Sequence, residues 1–441
     1  MKNIEPSLPK GFRDYLPENQ IVRQEMLDTI RATFERFGFV PLDTPCIERK
    51  EILTGGDDDF GMHIFTAGID GNNEKLALRF DLTVPLARVV AEHQNEIQKP
   101  FKRYQIGKVW RGENPQAGRY REFVQCDADI IGSSNVTADA EIVSIMYVTL
   151  FDLGVKKFLI RVNNRKILNS LSEYVEFSKD KTAVVLRTLD KLDKYGWKVV
   201  EKELNDESGL SKIQINKIHE FIEISEKDKE KKLNLAEKLL GKFSEAKDGI
   251  NELRRLILRL NAFGVPNNMW DIDFSVSRGL GYYTGIVFEA ILTDLPKLGS
   301  VMSGGRYDNL VSRFGSRVVP ATGVSLGIDR LFVGLEELKL ISLKKSFSKV
   351  LVLNFDEESE LVCIKALSDM RNCDISSELY LGNEKTMRGQ LSYALKKEIP
   401  FVVIIGSDER ERKVAQVKNL QKREQIEISL DKIGDEIKKM I

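Results

Sequence analysis

The spacing of apolar residues changes period several times along the chain, and each change marks an element. Between 18 and 37, Val22, Met26, Ile30 and Phe34 recur every four residues, with Leu27 and Phe37 widening the stripe. That spacing predicts an amphipathic helix, entered through Pro17 and stopped by Gly38, then a short strand at 39–42 before Pro45. Residues 104–111 and 121–130 alternate with a period of two instead. Gly112, Pro115 and Gly118 interrupt the alternation, so an antiparallel hairpin with a long polar loop is predicted. In its second strand Arg121, Phe123, Gln125, Asp127 and Asp129 share one face. A cation, a ring, an amide and two carboxylates make a poor core face. They mark either the solvated side of a hairpin or the floor of a polar site.

Before the hairpin, Arg79, Asp81 and Thr83 share the parity of one strand, and Pro85 begins a helix carrying Leu86, Val89 and Val90. Helical spacing returns at 138–150 and a strand follows at 157–163. From about 177 to 258 the texture is different. Lys and Glu crowd it, apolar residues keep helical spacing (Leu189, Leu192; Leu235, Leu239; Ile250, Leu253, Ile257), and strand signals vanish. A helical insertion is expected there. Strand patterning resumes at Trp270. Beyond 349, apolar runs at 350–353, 375–379 and 401–405 alternate with helical stretches at 357–370 and 384–396, the order of a small α/β domain.

Composition narrows the class. A chain of 441 residues is long for one core, so more than one domain is expected. Hydrophobic residues at 42% and charged residues at 30% describe a soluble globular enzyme, not a disordered or fibrous chain. Lys plus Arg and Asp plus Glu each total 67, so a nucleic-acid partner would need local basic patches. Four cysteines form no CxxC pair, and no signal peptide or membrane-spanning run is seen; reduced thiols in the cytoplasm, away from membranes, follow. His63, His93 and His219 lack HExxH spacing, which argues against a protein-bound metal such as zinc. The adjacent Asp57, Asp58 and Asp59 read as a solvated loop, since neighbours in sequence cannot easily converge on one ion.

Several stretches carry chemistry. Arg111 stands two residues before Glu113, and a loop leads to Arg121-Glu122-Phe123. This resembles motif 2 of the class II aminoacyl-tRNA synthetases, and QAGRYREFVQCDADIIG (116–132) resembles its histidyl-tRNA synthetase form. RGLGYYTGIVFEA (278–290) is similar to a signature of that family, with Gly281 where members usually carry Asp. SGGRYDNL (303–310) resembles a second signature, although a tight Gly-Gly turn with a structural Tyr307 fits equally. ATGVSLGIDRL (321–331) resembles motif 3, a glycine-rich strand entering a helix with Arg330 in its first turn. GFRDYLPE (11–18) looks like the family's leader. The helix, strand and proline of 18–45 resemble motif 1, the family's dimer interface, though an ordinary core helix would look the same. YALKKEIPFVVIIGSDE (393–409) looks like the anticodon-binding domain of several class II enzymes. The similarity covers essentially the whole chain.

The resemblance implies an α+β fold: a class II antiparallel sheet flanked by helices at 1–340, a helical insertion at 177–258, and an α/β anticodon-binding domain at 349–441. It implies a histidine–tRNA ligase that activates L-histidine with ATP and Mg²⁺ and passes it to the 3′ end of histidine tRNA. A cytoplasmic homodimer is expected. Arg111 and Arg278 would be catalytic, bridging the amino-acid carboxylate and the α-phosphate. ATP would be held by Arg111, Glu113, Arg119, Phe123 and Arg330. Histidine would be held by Asp81, Thr83, Arg111, Gln125, Asp129, Arg278, Tyr282 and Tyr283. Of these, Asp81, Thr83 and Gln125 match the ammonium site, while Asp129 and Tyr283 match the imidazole site; Asp127 is the alternative carboxylate. Asp81 and Asp129 are each one methylene shorter than the family's commoner Glu. Gln116 and Arg119 would meet the tRNA acceptor end. Arg410, Arg412, Lys413, Lys418, Lys422 and Arg423 face either phosphates or solvent, and the insertion is either a tRNA contact or a solvated module. Two other readings are a regulatory paralogue serving a histidine biosynthetic enzyme and a non-catalytic sensor of tRNA. Such proteins lose signature residues or the C-terminal domain; this chain keeps both.

Overall fold

The hairpin predicted from the alternating residues forms the middle of the larger sheet. Strands Phe101–Trp110 and Glu122–Ile131 pair antiparallel over their full length, Arg103 opposite Asp129 and Gln105 opposite Asp127. This computed structural model describes residues 4–55, 64–70, 73–115, 118–277, 281–315 and 317–441. The chain divides into two compact units, one with residues up to Arg13 and Met26–Leu340, the other with Asp14–Glu25 and Ile341–Ile441.

In the larger unit eight strands run in the order Val40–Pro41, Phe101–Trp110, Glu122–Ile131, Ala321–Gly327, Ser300–Arg306, Ile286–Leu292, Phe158–Asn164, Trp270–Ile272. The inner pairs are antiparallel and the outermost pair at each end is parallel. Helix Val136–Asp152 buries Ile142, Val143, Ile145 and Met146. A second sheet of three short strands, Ile47–Arg49, Lys75–Leu78 and Thr66–Ile69, leads into helix Thr83–Glu92. The helix predicted at 18–37 is Pro17–Arg36, with proline at its first position, where no N–H is needed.

Two local expectations change. Arg79, Asp81 and Thr83 were expected on one strand face, but the strand ends at Leu78 and the helix starts at Thr83. Arg79 is buried and donates to the Thr44 and Lys108 carbonyls, while Asp81 accepts the Val84 N–H at the helix entry. The Gly304-Gly305 pair lies within a strand, not a turn. A Cβ on Gly304 would stand 2.0 Å from the Gly323 carbonyl, so close strand packing requires glycine there.

The stretch from 177 to 258 is helical throughout its regular elements, as the spacing indicates. Its last helix, Ser244–Ala262, packs closely on the sheet-side helices. A Cβ on Gly249 would meet Ile167 at 2.9 Å, Asn164 donates to Glu252 at 2.7 Å, and Arg259 donates to Thr137 at 2.8 Å.

The smaller unit carries a five-stranded sheet in the order Ser377–Leu379, Val350–Val352, Phe401–Ile404, Val414–Asn419, Glu424–Ser429. Helices lie on both faces, so successive residues of 401–405 alternate between two apolar layers and all are buried. The last two strands are an antiparallel hairpin that the sequence pattern did not reveal. Arg410 pairs with Glu358 at 2.9 Å and Arg412 with Glu427 at 2.9 Å, both at the surface.

Candidate active site

Register determines the floor of the site. On one face of the central sheet, Gln125, Asp127 and Asp129 stand side by side with Gly327, Ser325 and Gly323 on the next strand. Glycine and serine leave an open trough above the carboxylates. Asp81 and Thr83 enter from the turn before helix Thr83–Glu92, and Tyr282, Tyr283 and Tyr307 close the far wall, all lining one cavity of about 480 Å³.

The trough is rich in acceptors. Asp81 is buried; its Oδ1 takes the Val84 N–H, and its Oδ2 has no partner among the described residues. Gln125 donates to Ser325 at 2.6 Å, leaving Oε1 unpartnered, and Asp127 Oδ1 is unpartnered as well. Burial raises the Asp81 carboxyl to about 6 against the pull of Arg111 and Arg103. Asp127 is also raised, first by burial and then by Asp129, while Arg103 opposes. Such a cavity requires a ligand that supplies N–H groups and positive charge.

Asp129 differs from its neighbours. Its carboxylate lies 3.0 Å from the Arg103 guanidinium and accepts the Tyr307 hydroxyl at 2.5 Å. It is held by an ion pair on one oxygen and a hydrogen bond on the other. Asp129 Oδ2 and Asp127 Oδ1 both lack a hydrogen bond among the described residues, but Asp127 has no ion pair within 4 Å there and keeps that oxygen for a ligand. The three tyrosine rings pack edge-on, Tyr282 4.9 Å from Tyr283 and 5.9 Å from Tyr307. Burial pushes their phenols well above the ordinary range, so they stay protonated and can donate.

A second cavity, of about 250 Å³, is lined by Glu113, Arg119, Phe123, Gly327, Arg330 and the loop between the hairpin strands. Arg330 begins the helix Ile328–Glu337 and donates to the Ser300 carbonyl at 2.7 Å, which turns the guanidinium along the cavity wall. Asp329 accepts the Val124 N–H at 2.9 Å, tying that helix to the hairpin. Arg111 lines both cavities, as do Glu113 and Gln125. Its Nε donates to the Phe80 carbonyl at 3.0 Å, and its guanidinium sits 5.1 Å from the Phe123 ring centre. A permanent cation therefore stands where an acceptor-lined pocket meets a pocket with an aromatic wall.

The sequence-derived site residues Asp81, Thr83, Gln125, Asp129, Tyr282 and Tyr283 all line the first cavity, and Glu113, Arg119, Phe123 and Arg330 the second. Arg278 and Gln116 lie outside the described residues, as do Asp57, Asp58 and Asp59. Among the described residues, a Cβ on Gly281 would meet nothing within 4 Å, so a side chain at this position would find open space. Sequence reasoning missed Arg187 and Asp190, which reach the first cavity from the end of helix Thr182–Leu189. They belong to the stretch read as an insertion, and no spacing ties them to the other motifs. Arg103 was missed too, because only the hairpin register brings it to Asp129.

This sheet, with a helix-borne arginine and a hairpin arginine over paired cavities, is that of a class II aminoacyl-tRNA synthetase. Residues 11–331 match the family model of histidyl-tRNA synthetase, and residues 349–440 match that of the anticodon-binding domain. The histidine–tRNA ligase of Clostridium tetani is 43% identical over 435 residues, 97% of either chain. That of Wolinella succinogenes is 42% identical over 95% of this chain and 94% of its own. The crystal structure of histidyl-tRNA synthetase from Nostoc superposes over 100% of both chains with a TM-score of 0.88 at 32% identity. The chain belongs to the histidyl-tRNA synthetase family. It is an aminoacyl-tRNA ligase that uses ATP to join histidine to its tRNA.

Proposed function

We propose that the two cavities divide this reaction between amino acid and nucleotide, with Arg111 at their junction. In the first, the histidine ammonium is held by Asp81, Thr83 and Gln125; the unpartnered Asp81 Oδ2 and Gln125 Oε1 match a cation rich in N–H donors. The imidazole lies toward Asp129 and Tyr283, with Asp127 offering a further acceptor. In the second, the adenine stacks on Phe123 and donates to Glu113, while Arg119 and Arg330 bind the phosphate chain. Mg²⁺ enters with ATP as part of the substrate, held by phosphate oxygens and water; it neutralises charge on the departing pyrophosphate.

A histidine carboxylate oxygen attacks the α-phosphorus, the bond to pyrophosphate breaks, and the adenylate remains. Both reactants are anionic, so Arg111 and Arg278 act by bridging carboxylate and α-phosphate, and the stabilisation is greatest where charge concentrates. A terminal ribose hydroxyl of the tRNA then attacks the adenylate carbonyl, AMP leaves, and Gln116 and Arg119 guide the acceptor end. The smaller unit contacts the anticodon. The enzyme works as a homodimer in the cytoplasm.

The observation that carries this reading is the acceptor-lined cavity joined through Arg111 to the nucleotide cavity. Exchange of labelled pyrophosphate into ATP, dependent on histidine and on no other amino acid, tests it. Exchange that ignores histidine would overturn it.

A further inference from the structure

The leader just before the first helix serves no purpose in the chemistry so far, yet it is bonded to the loop that walls the nucleotide cavity. Its Gly11 carbonyl accepts the Arg121 N–H at 2.8 Å, and its Lys10 carbonyl accepts the Arg121 guanidinium at 3.3 Å. The same guanidinium donates to the Glu113 carbonyl at 3.2 Å, on the opposite leg of the hairpin loop. Arg121 in turn accepts the Arg111 N–H at 2.8 Å. Arg121 thus joins the leader and both legs of the loop, its side chain tying Lys10 to Glu113 and its backbone tying Gly11 to the junction arginine.

Three further contacts fix this arrangement. Arg13 donates to the Tyr120 hydroxyl at 2.7 Å, with its guanidinium 5.2 Å from that ring's centre. Phe12 packs edge-on against Phe65, with ring centres 5.9 Å apart. Gly11 has φ +89, and a Cβ there would stand 2.8 Å from Arg121 Cγ, so both conformation and space favour glycine. Tyr120, Glu113 and Arg119 all line the nucleotide cavity. Among the described loop residues, Glu113, Asn114 and Arg119 are polar and exposed. Without an outside anchor the loop would sample many conformers, and ordering it would fall to the incoming ATP.

We propose that the leader 10–13 is a positioning strap for ATP, in which Arg13 and Gly11 hold the hairpin loop in its nucleotide-binding shape through Tyr120 and Arg121. Arg13 acts through Tyr120 and touches no reacting atom. The proposal rests on the assignment of the second cavity to ATP. None of the leader's direct partners named here, Arg121, Tyr120 and Phe65, lines the histidine cavity, whereas Tyr120 lines the nucleotide cavity, so the strap acts chiefly on ATP.

The test is steady-state pyrophosphate exchange with Arg13→Ala, Arg13→Lys and Gly11→Ala in the full chain, with thermal unfolding of each. Arg13→Ala is expected to raise the KM for ATP about tenfold, the size of one charged hydrogen bond, with the KM for histidine within about twofold of wild type. Arg13→Lys, which can still donate to Tyr120, restores most of the loss. Gly11→Ala shifts the ATP KM in the same direction. Unchanged ATP KM in Arg13→Ala, or equal rises in both KM values, would overturn the strap. So would a failure of Arg13→Lys to recover. Absence of histidine-dependent exchange in the wild type would instead refute the functional reading itself.

Discussion

Replacing the two cavity carboxylates one at a time separates the group that builds the pocket from the group that meets the ligand. Asp129 stands 3.0 Å from Arg103, which is fully buried and, among the described residues, has that ion pair and one hydrogen bond, to the Leu82 carbonyl at 3.2 Å. Asp129→Asn therefore leaves a buried guanidinium short of its counter-charge. Breaking one side of such a pair costs about 3–5 kcal/mol, and the attraction of nearby Asp127 for Arg103 puts the expected loss at the lower end. Asp127 makes no ion pair within 4 Å among the described residues, and its charged form is disfavoured by burial and by Asp129. Asp127→Asn relieves that strain, so stability stays level or rises. What it loses is a charged acceptor for the ligand, about 1.5–3 kcal/mol, or roughly ten- to 150-fold in the histidine KM.

The assay pairs thermal unfolding of the empty enzyme at pH 8 with pyrophosphate exchange against histidine concentration. Asp127→Asn should keep its melting temperature and lose histidine affinity, with the ATP KM unchanged. Asp129→Asn should melt earlier, and its histidine KM should rise only along with that loss of order. The reasoning is refuted if Asp127→Asn binds histidine normally while Asp129→Asn loses binding at an unchanged melting temperature. In that case Asp129 meets the imidazole directly and Arg103 merely balances its charge.

Other outcomes follow from the same geometry. Arg111→Lys keeps the charge but loses the planar fork, and should slow single-turnover adenylation by about 3 kcal/mol, on the order of a hundredfold, with little change in ATP affinity; Arg278→Lys should behave alike, and wild-type speed in either removes that residue from the reacting centre. Asp81 has a folded-state pKa of about 6 against an ordinary 3.8, so its contribution to stability is full below pH 4 and is lost as pH rises through 6, about 3 kcal/mol in all. Asp81→Asn should flatten that part of a denaturant-stability profile, and in the wild type kcat/KM for histidine should fall below about pH 6 as the ammonium partner is neutralised. Sedimentation at micromolar concentration should give twice the chain mass; a monomer that charges tRNA would remove the motif 1 dimer.

Much of the fold was legible because its elements are strongly periodic. The four-residue stripe of Val22, Met26, Ile30 and Phe34 is a helix, and the alternation on either side of Gly112 is a hairpin. The hairpin Val414–Asn419 and Glu424–Ser429 was not legible. In the second of these strands only Ile428 is buried, and Glu424, Gln425 and Glu427 at exposed positions hide the period of two. The strand expected through Arg79, Asp81 and Thr83 failed for another reason: the alternation continues for several residues past the point where the backbone turns into helix Thr83–Glu92. A pattern of side chains does not by itself say where the hydrogen-bond ladder stops.

The site was legible as a set of residue types and hidden as a set of neighbours. Parity placed Gln125, Asp127 and Asp129 on one face, but parity is a property of a single strand. Proximity depends on the register between strands, which the loop from Arg111 to Arg121 leaves undetermined in the sequence. Once the register puts Arg103 opposite Asp129 and Gly323 on its other side, the two carboxylates cease to be equivalent. A Cβ on Gly323 would stand 1.8 Å from Asp129 Oδ1, so this motif 3 glycine provides room for a carboxylate that Arg103 and Tyr307 hold in place. Asp127 has Ser325 at the matching position; that hydroxyl accepts the Gln125 amide and gives its own proton to Asp127, whose Oδ1 stays unpartnered among the described residues. The glycine beside one aspartate and the serine beside the other therefore separate a carboxylate buried as part of the wall from one left with an oxygen for the substrate.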